Sequence, residues 1–528
     1  MLTPLIAGLS NGVFVFFKGK AMDQNEVIAF LSEPSSYGLP AGAMERHETH
    51  GAIVFLVGDF AYKLKRAVRF PYMDYSTPER RRAACETELT VNKRTAPSLY
   101  LDVRAIVRGV DGRLRFGASH DPGAVDWVVV MRRFPQSALL EQMRRRGALD
   151  DAVMRRLAEA VAEFHAKAET TRKFGGAAGI AEVVEGNVQV LTSFEGNPFA
   201  RERIAAYAAA SREAVKAMTA RLDARRDGGF VRHCHGDLHL NNICMMNGEP
   251  LLFDAIEFSE TFSHIDVFYD LAFLLMDLEH AAERRFANVL LNRYLERTGD
   301  FGGLALLPLF LSCRAAVRAH VKAAQANGTQ DIEKEALSYL EDAIRFLVPV
   351  KPQLVVLGGI SGTGKSTLGR TLAPMLGAAP GAIILRSDVL RKSLWGAPES
   401  VTLPEAAYAA DSTGKVYDLL SSHAAEILAA GHDVIADAVY GTDAEREEIA
   451  AVAHRARVPF HPIWLDAPLA ILEQRVAARR NDVSDATVEI LHKQRAATTS
   501  PMGWIKVDAG GSPEDTLRRA CAALGIDN

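Results

Sequence analysis

The chain has 528 residues, a length that favours two or three domains over one. Its formal net charge of −4 gives no overall basic field of the kind that attracts nucleic acid or anionic membranes. We therefore expect neither of these as a partner. The five cysteines form no C-x-x-C pair, which favours a reducing, cytoplasmic environment over a disulfide-stabilised extracellular one.

The N-terminal segment, residues 1–22, differs in pattern from the rest of the chain. It is apolar from Leu5 to Phe17, but Lys18 and Lys20 come after this run, whereas the charges of a signal peptide precede it. We interpret the segment as an appended tail or a start codon placed too early, with Met22 as the real start. A signal peptide is the alternative.

Two domains are predicted after this tail, over residues 23–347 and 353–528. The first opens with a helical pattern that has Val27, Ile28 and Leu31 on one face, and strand-like runs with a hairpin across Gly58-Asp59 follow. It then continues as a mostly helical region. Two prolines within residues 348–352 prevent helix continuation and predict a linker. Strands and helices alternate in the second domain, which predicts an α/β fold with a parallel sheet.

The second domain opens with a phosphate-binding pattern. Its residues fit G-x-x-x-x-G-K-[ST] between an apolar strand and a helical segment, the context that this motif requires. Backbone N–H groups of such a loop cradle a triphosphate, while the lysine reaches the β- and γ-phosphates and the hydroxyl binds Mg²⁺. The predicted nucleotide-binding residues are Gly359, Ser361, Gly362, Thr363, Gly364, Lys365, Ser366 and Thr367.

Two carboxylates follow apolar strands of this domain. Asp388 comes after Ile383–Arg386, at the carboxyl end of the sheet where ligands bind in such folds, and is positioned to accept a hydroxyl proton. Arg391, one helical turn later, is expected to hold an anionic acceptor. Asp437 ends a second apolar strand, as a residue that holds Mg²⁺ does in such domains. Helix capping is the alternative for both carboxylates.

Arg475 and Arg479 lie four residues apart on one predicted helix face, where arginines can close on phosphates. A solvated basic face is the alternative. The second domain resembles the small P-loop kinases of the zeta-toxin, polynucleotide kinase and gluconate kinase type. The resemblance rests on the P-loop, Ser387-Asp388-x-x-Arg391, the Asp437 strand and this arginine helix. The resemblance implies that Asp388 activates the acceptor, that Arg391 clamps it and that residues 475–486 form a mobile lid.

The first domain contains a dense polar stretch, residues 233–243. Its histidines and cysteine raise the alternative of zinc, but the usual ligand pairs are missing. Asp237 and Asn242 lie five residues apart, as in the catalytic loop of protein kinases, and Asp254 follows an apolar run. Phosphoryl transfer needs a carboxylate to orient the acceptor and oxygen ligands for Mg²⁺.

His235-Gly236-Asp237-x-x-x-x-Asn242, followed by Asp254-x-x-Glu257-Phe258, resembles the aminoglycoside phosphotransferase family over roughly residues 48–347. The resemblance implies an α+β kinase-like fold with a small β-rich lobe and a helical lobe. It also implies that Asp237 is the catalytic base, that Asn242 and Asp254 bind Mg²⁺, and that His235 supports the loop.

Lys63 and Lys65 lie on one face of a predicted strand, and one of them is expected to contact the α- and β-phosphates. We predict Lys65 for this role, with Glu88 as its ion-pair partner and Glu86 as second choice. Surface ion pairing is the alternative. No G-x-G-x-x-G pattern precedes this strand, which leaves open a weak or inactive kinase.

The tandem arrangement resembles bacterial proteins that combine an aminoglycoside phosphotransferase-like domain with an ATP-binding domain. We therefore predict an enzyme with two MgATP sites that phosphorylates hydroxyl groups of small molecules such as sugars, aminoglycoside-like compounds or nucleotides. The acidic residues Asp266, Asp270 and Asp277 are interpreted mainly as helix caps and ion pairs. Two alternatives remain: one domain senses a nucleotide or metabolite, or a toxin-like kinase is restrained by its partner domain.

Overall fold

The computed structural model describes residues 24–39, 44–49, 51–70, 73–194, 198–326, 329–478, 483–498 and 501–526. The predicted tail, residues 1–22, and Arg479 lie outside the described residues. The chain forms two compact units. The first contains the described residues up to His280 together with Leu309–Leu347, and the second contains Ala281–Pro308 together with the described residues from Val348 onwards. The sequence pattern had placed Ala281–Pro308 in the first domain.

The first unit begins with a six-stranded sheet in the order β1-β2-β3-β8-β6-β7, in which every neighbouring pair is antiparallel. Its strands are β1 (Met44–Glu48), β2 (Ala52–Val57), β3 (Phe60–Lys65), β6 (Tyr100–Arg108), β7 (Leu114–Ala118) and β8 (Ala124–Arg132), with the short pair β4 (Arg69–Phe70) and β5 (Met73–Asp74) outside it. The predicted hairpin is confirmed, since Val57 pairs with Phe60 across the turn. Helices α1 (Asn25–Leu31) and α2 (Pro78–Asn92) pack apolar side chains against the sheet.

The rest of the first unit is mostly helical, as predicted. Its elements are α3 (Leu140–Arg145), α4 (Asp151–Lys167), α5 (Gly176–Ser193), α6 (Arg201–Asp227), β9 (Val231–His233), β10 (Ile243–Met246), β11 (Glu249–Leu252), α7 (Glu260–Ser263), β12 (His264–Asp266) and α8 (Val267–His280). The chain then forms α9 (Arg284–Thr298) of the second unit, before α10 (Leu307–Gln325) and α11 (Gln330–Arg345) complete the first.

One stretch, Phe301–Gln325, is long and apolar enough to cross a membrane by length and composition. Within its most apolar window, 89% of the residues are buried inside the structure. The same composition is typical of a core helix, because a buried helix is apolar on all sides.

The second unit is built on a five-stranded parallel sheet in the order β14-β15-β13-β16-β17, which confirms the predicted α/β architecture. Its strands are β13 (Leu354–Gly358), β14 (Ile383–Arg386), β15 (Val434–Asp437), β16 (Phe460–Asp466) and β17 (Ile505–Asp508). Besides α9, its helices are α12 (Lys365–Leu372), α13 (Ser387–Leu394), α14 (Ala410–Ala429), α15 (Asp443–Ala456), α16 (Leu469–Ala477), α17 (Val488–Ala497) and α18 (Pro513–Leu524). The central strand β13 is buried throughout, as expected when helices cover both faces.

Candidate active sites

The polar loop of the first unit comes after strand β9 and is held by the carboxylate of Asp270, on α8. This carboxylate accepts hydrogen bonds from the backbone N–H groups of His235, at 3.1 Å, and Gly236, at 2.8 Å. Gly236 has φ +83°, and a Cβ there would lie 2.8 Å from the backbone oxygen of Phe262, so the turn requires glycine. The hydrogen bonds to Asp270 and the close approach of the Phe262 backbone to Gly236 therefore fix the conformation of the loop.

The imidazole of His235 ties this loop to the residue before Asp254. Its Nδ1 accepts from the backbone N–H of Asp237, at 3.3 Å, so the ring proton is on Nε2, which donates to the carbonyl of Phe253 at 2.9 Å. Burial lowers the pKa of His235, which keeps the ring neutral. The supporting role that the resemblance implied for His235 agrees with these contacts.

Asp237 and Asn242 meet at the centre of the loop. The amide nitrogen of Asn242 donates to the carboxylate of Asp237, at 3.1 Å, and to its backbone oxygen, at 3.0 Å. Burial raises the pKa of Asp237, but the nearby His239 and Arg318 outweigh this, and its pKa lies below the usual value. Within the described residues, the buried Oδ1 atom of Asn242 has no hydrogen-bond partner, and that of Asp237 has only His239 Nε2 nearby, at 3.5 Å. Oxygen atoms of this kind fit a Mg²⁺ ion or an acceptor hydroxyl.

Two lysines of β3 converge on the single carboxylate of Glu88, on α2. Lys63 Nζ lies 2.7 Å from Glu88 Oε1 and 2.6 Å from Asp254 Oδ1. Lys65 Nζ lies 2.5 Å from Glu88 Oε2 and pairs on its other side with Glu257. Burial raises the pKa of Glu88, but the two lysines more than offset this and bring it to about 2.

This arrangement changes the lysine assignment. Lys65 was predicted to contact the phosphates, but its amine is held by Glu88 and Glu257, whereas Lys63 is the lysine beside Asp254. The structure therefore favours Lys63 for the phosphate contact. Glu86, the second choice for the carboxylate, forms an i,i+4 pair with Arg82 instead.

The acidic residues after the loop have structural partners, as predicted. Asp266 pairs with Arg225 at 2.7 Å and caps α8 through the backbone N–H of Phe268. Asp277 accepts from the backbone N–H of Leu240 at 3.1 Å. These carboxylates hold the fold together and do not form an acidic surface for a polycation.

The P-loop of the second unit connects β13 to α12. Gly359 has φ +140°, and a Cβ there would lie 2.6 Å from the backbone oxygen of Leu465, so a side chain does not fit. Lys365 begins α12, and its Nζ donates to the backbone oxygen of Gly359 at 2.8 Å. The N-terminus of α12 and the preceding loop thus form the anion cradle that the sequence predicted.

A cavity of about 410 Å³ lies over this cradle. Its lining includes Ser361, Gly362, Thr363, Gly364, Lys365, Ser366, Thr367, Asp388, Asp437 and Arg475, all of them predicted site residues. Ser366 Oγ donates to Asp437 Oδ2 at 2.6 Å, which places two oxygen ligands of the type that Mg²⁺ prefers side by side. The predicted metal residues of this unit therefore fit the ion.

Asp388 reaches the cavity because β14 and β15 are parallel neighbours. Arg386 pairs with Asp437 in the strand register, so the residues at the carboxyl ends of both strands lie at the same edge of the sheet. Arg386 also places its guanidinium 3.6 Å from Asp437 and lines the cavity. Sequence analysis missed Arg386, although its position directly before Ser387-Asp388 was a usable signal.

Arg391 is not brought to the cavity wall. It is buried, donates to the backbone oxygen of Ala407 at 2.5 Å, and lies 4.8 Å from the ring centre of Tyr408. Tyr408 itself lines the cavity and donates to Asp485 at 2.7 Å. The predicted acceptor clamp is corrected accordingly: Arg391 supports Tyr408, because the turn at Ala407 and Tyr408 closes over its guanidinium.

Arg475 does line the cavity, but its guanidinium is engaged with backbone. It donates to the carbonyls of Ala509, at 2.8 Å, and Gly511, at 2.9 Å. Asp485, in the predicted lid, was missed by sequence reasoning, and it binds Lys392 as well as Tyr408. Nothing local in the sequence identifies these partners, because they come from separate segments.

Each half of the chain matches a known family model. Residues 73–307 match a model described as a phosphotransferase enzyme family, and residues 354–501 match a model described as an AAA domain. The two matches follow one another in the same order as the two predicted domains. We refer to the two compact units from here on as the phosphotransferase unit and the P-loop unit.

Relatives with the same two-part arrangement occur in mycobacteria. An uncharacterized protein of Mycobacterium tuberculosis H37Rv is 29% identical over 487 residues, which span 90% of this chain and 94% of that protein. A protein of Mycobacterium bovis, also uncharacterized, matches equally.

Two solved structures are similar to parts of the chain. The choline/ethanolamine kinase family protein from Mesorhizobium loti covers 62% of this chain and 95% of its own, with 15% identity and a TM-score of 0.39. A gluconokinase from Sinorhizobium meliloti covers 33% of this chain and 93% of its own, with 21% identity and a TM-score of 0.25.

The two lysines of the phosphotransferase unit are expected to respond differently to the same change. Lys63→Met removes the cation beside Asp254 and should abolish phosphate transfer at this unit, while Glu88 keeps Lys65 as a partner. Lys65→Met leaves Glu257 buried without its cation, which costs roughly 3–5 kcal/mol of folding free energy for a buried pair.

Thermal denaturation and nucleotide binding of both variants, measured side by side, check this assignment. A Lys65→Met protein that is as stable as wild type but has lost nucleotide binding at the phosphotransferase unit would reverse it.

The pH dependence of stability should reveal Asp270. Burial raises the pKa of Asp270, but the hydrogen bond from His165 and the nearby histidines outweigh this and bring it to about 2. Because the folded pKa lies below the usual one, Asp270 stabilises the fold above pH ~4, and this contribution, about 2 kcal/mol, is lost as the pH falls toward ~2.

The difference in unfolding free energy between wild type and Asp270→Asn should therefore shrink over that range in chemical denaturation curves. Asp418→Asn, a change at an exposed position of α14, serves as the control and should show no such trend. A constant difference for Asp270→Asn would contradict the assignment.

Proposed function

We propose that the chain is an ATP-dependent phosphotransferase with two separate active sites, one in each unit, that act on hydroxyl groups of small molecules. The supporting observation is that each unit combines a candidate base with oxygen atoms suited to a metal ion. In the phosphotransferase unit, Asn242 contacts Asp237 through its side chain and Phe253, next to Asp254, through its backbone oxygen. In the P-loop unit, Asp388 lines the same cavity as the hydrogen-bonded pair Ser366 and Asp437. Kinase-family domains in both halves support phosphotransfer in general.

In the phosphotransferase unit, Asp237 would accept the proton of the acceptor hydroxyl. Its lowered pKa keeps it ionised at neutral pH, and Asn242 fixes its orientation. Asn242 and Asp254 would hold Mg²⁺, which neutralises phosphate charge when bound. Lys63 would leave Asp254 to contact the phosphates of ATP.

In the P-loop unit, the loop amides and Lys365 would bind the triphosphate, and Ser366 with Asp437 would hold the metal. Asp388 would orient the acceptor hydroxyl, while Arg386 adds a cation near the transferred phosphate. The cavity volume of about 410 Å³ lies in the range of small-molecule sites, which supports binding of a nucleotide here. We propose a cytoplasmic setting because the five cysteines of the sequence include no C-x-x-C pair and suggest no disulfide framework.

Transfer of labelled phosphate from ATP to a metabolite extract tests this function in the full-length protein. Asp237→Asn and Asp388→Asn should each remove a different labelled product, with a loss of about 10²–10⁴-fold, the usual contribution of a general base. Asp418→Asn is the matched control and should leave both products unchanged.

The result also separates the alternatives. If Asp237→Asn removes no product but changes the rate at which the P-loop unit forms its own, the phosphotransferase unit acts as a sensor. If neither aspartate variant changes any product, the two-site proposal is wrong.

A further inference from the structure

The segment Ala281–Pro308 matches the phosphotransferase family almost throughout, yet it belongs to the P-loop unit. Its first contact is with the turn that follows α12, the helix after the P-loop. Arg284 donates to the backbone oxygens of Pro374, at 2.7 Å, and Gly377, at 2.8 Å, just after α12. Arg284 therefore satisfies backbone carbonyl groups of the turn that follows α12.

The second contact completes the edge of the parallel sheet. Strand β14 is the outermost strand, so one side of its backbone has no neighbouring strand. Asn292 fills this place: its Oδ1 accepts from the N–H of Ile384 at 2.7 Å, and its Nδ2 donates to the carbonyl of Ala382 at 3.2 Å. Asn288 donates to the same carbonyl at 3.0 Å. Both asparagines are more than nine-tenths buried.

The end of the segment packs against α14 and the start of β15. His432, just before β15, donates a hydrogen bond of 3.0 Å from its Nε2 atom to the backbone oxygen of Leu304. The ring of Phe301 lies 4.7 Å from that of His423, on α14. These contacts, with the buried amides, extend over the whole segment and make it part of the core of the P-loop unit.

We infer that Ala281–Pro308 is an integral part of the P-loop unit, and that Asn292 is a positioning residue for Asp388. Strand β14 ends at Arg386, and Asp388 follows two residues later at the start of α13. The amide that holds Ile384 therefore also sets the position of the candidate base relative to Asp437. A fragment that begins at the linker, residue 348, lacks this support. The association of the segment is independent of the proposed function, whereas the positioning of Asp388 rests on it.

Cleavage of the full-length chain tests the association. A protease site replaces residues 348–352, where Val348 and Val350 are exposed, and the folded protein is cut there. The C-terminal fragment is expected to stay bound to the fragment that carries α9 on gel filtration. Separation of the two fragments under native conditions would overturn the inference.

The side chains that make the association can be tested in the same cleaved protein. Asn288→Ala with Asn292→Ala is expected to weaken the association of the fragments at least tenfold. Arg297→Ala, a change at an exposed position near the end of the same helix, is the control and should leave it unchanged. Equal dissociation constants for all these proteins would also overturn the inference.

Two measurements on the uncut chain test the positioning role. In Asn292→Ala, the amide of Ile384 should exchange its hydrogen faster, since its partner is gone. The kcat of the reaction that depends on Asp388 should fall about tenfold, with the KM for ATP unchanged, because the P-loop is held by β13 and α12. Normal exchange at Ile384 would contradict the contact, and a normal kcat would contradict the positioning. If no phosphate transfer is found at all, the exchange and cleavage results still decide the structural inference.

Discussion

Buried carboxylates have to be matched by cations or hydrogen-bond donors, and this requirement shapes both candidate sites. In the phosphotransferase unit, Glu88 is fully buried and is matched by two lysines, one of which also reaches Asp254. Asp270 is buried as well and is matched by two backbone N–H groups and by His165. Because an unmatched buried charge is costly, the hydrogen bonds to Asp270 fix the geometry of the loop that carries Asp237.

The P-loop unit meets the same requirement at the ends of its parallel strands. Asp437 is matched by the hydroxyl of Ser366 and by the guanidinium of Arg386, and Asp388 lies just beyond the neighbouring strand. The site therefore depends on the register of β14, and that register is supported by side-chain amides from a segment that lies far away in the sequence. Structural support for one site thus comes from residues that family matching assigns to the other half of the chain.

Much of this was predictable from local sequence. The P-loop, the aspartates after β14 and β15, and the spacing of Asp237 and Asn242 are all short-range patterns, and short-range patterns report the backbone geometry that they require. Glu88 was likewise predicted as the ion-pair partner of a lysine on β3. The choice between Lys63 and Lys65 was not predictable, because both lie on one face of β3 and the difference is made by Asp254 and Glu257, nearly two hundred residues later.

The roles of Arg391 and of α9 were missed for the same reason. Arg391 has the spacing of an acceptor ligand, but Tyr408 and the carbonyl of Ala407 come from a later turn and bury it. Helix α9 has an ordinary helical pattern, and nothing in that pattern shows that Asn292 bonds to an edge strand. Tertiary contacts determine both roles, and a single sequence does not show which of its segments come together.

The central claim is that the chain holds two nucleotide sites of unrelated architecture, and the stoichiometry of nucleotide binding tests it most directly. Calorimetric titration of the full-length protein with a non-hydrolysable ATP analogue and Mg²⁺ should give two nucleotides per chain. Lys365→Ala and Lys63→Met should each reduce this to one. A stoichiometry of one in the wild type, lost completely in either variant, would contradict the account.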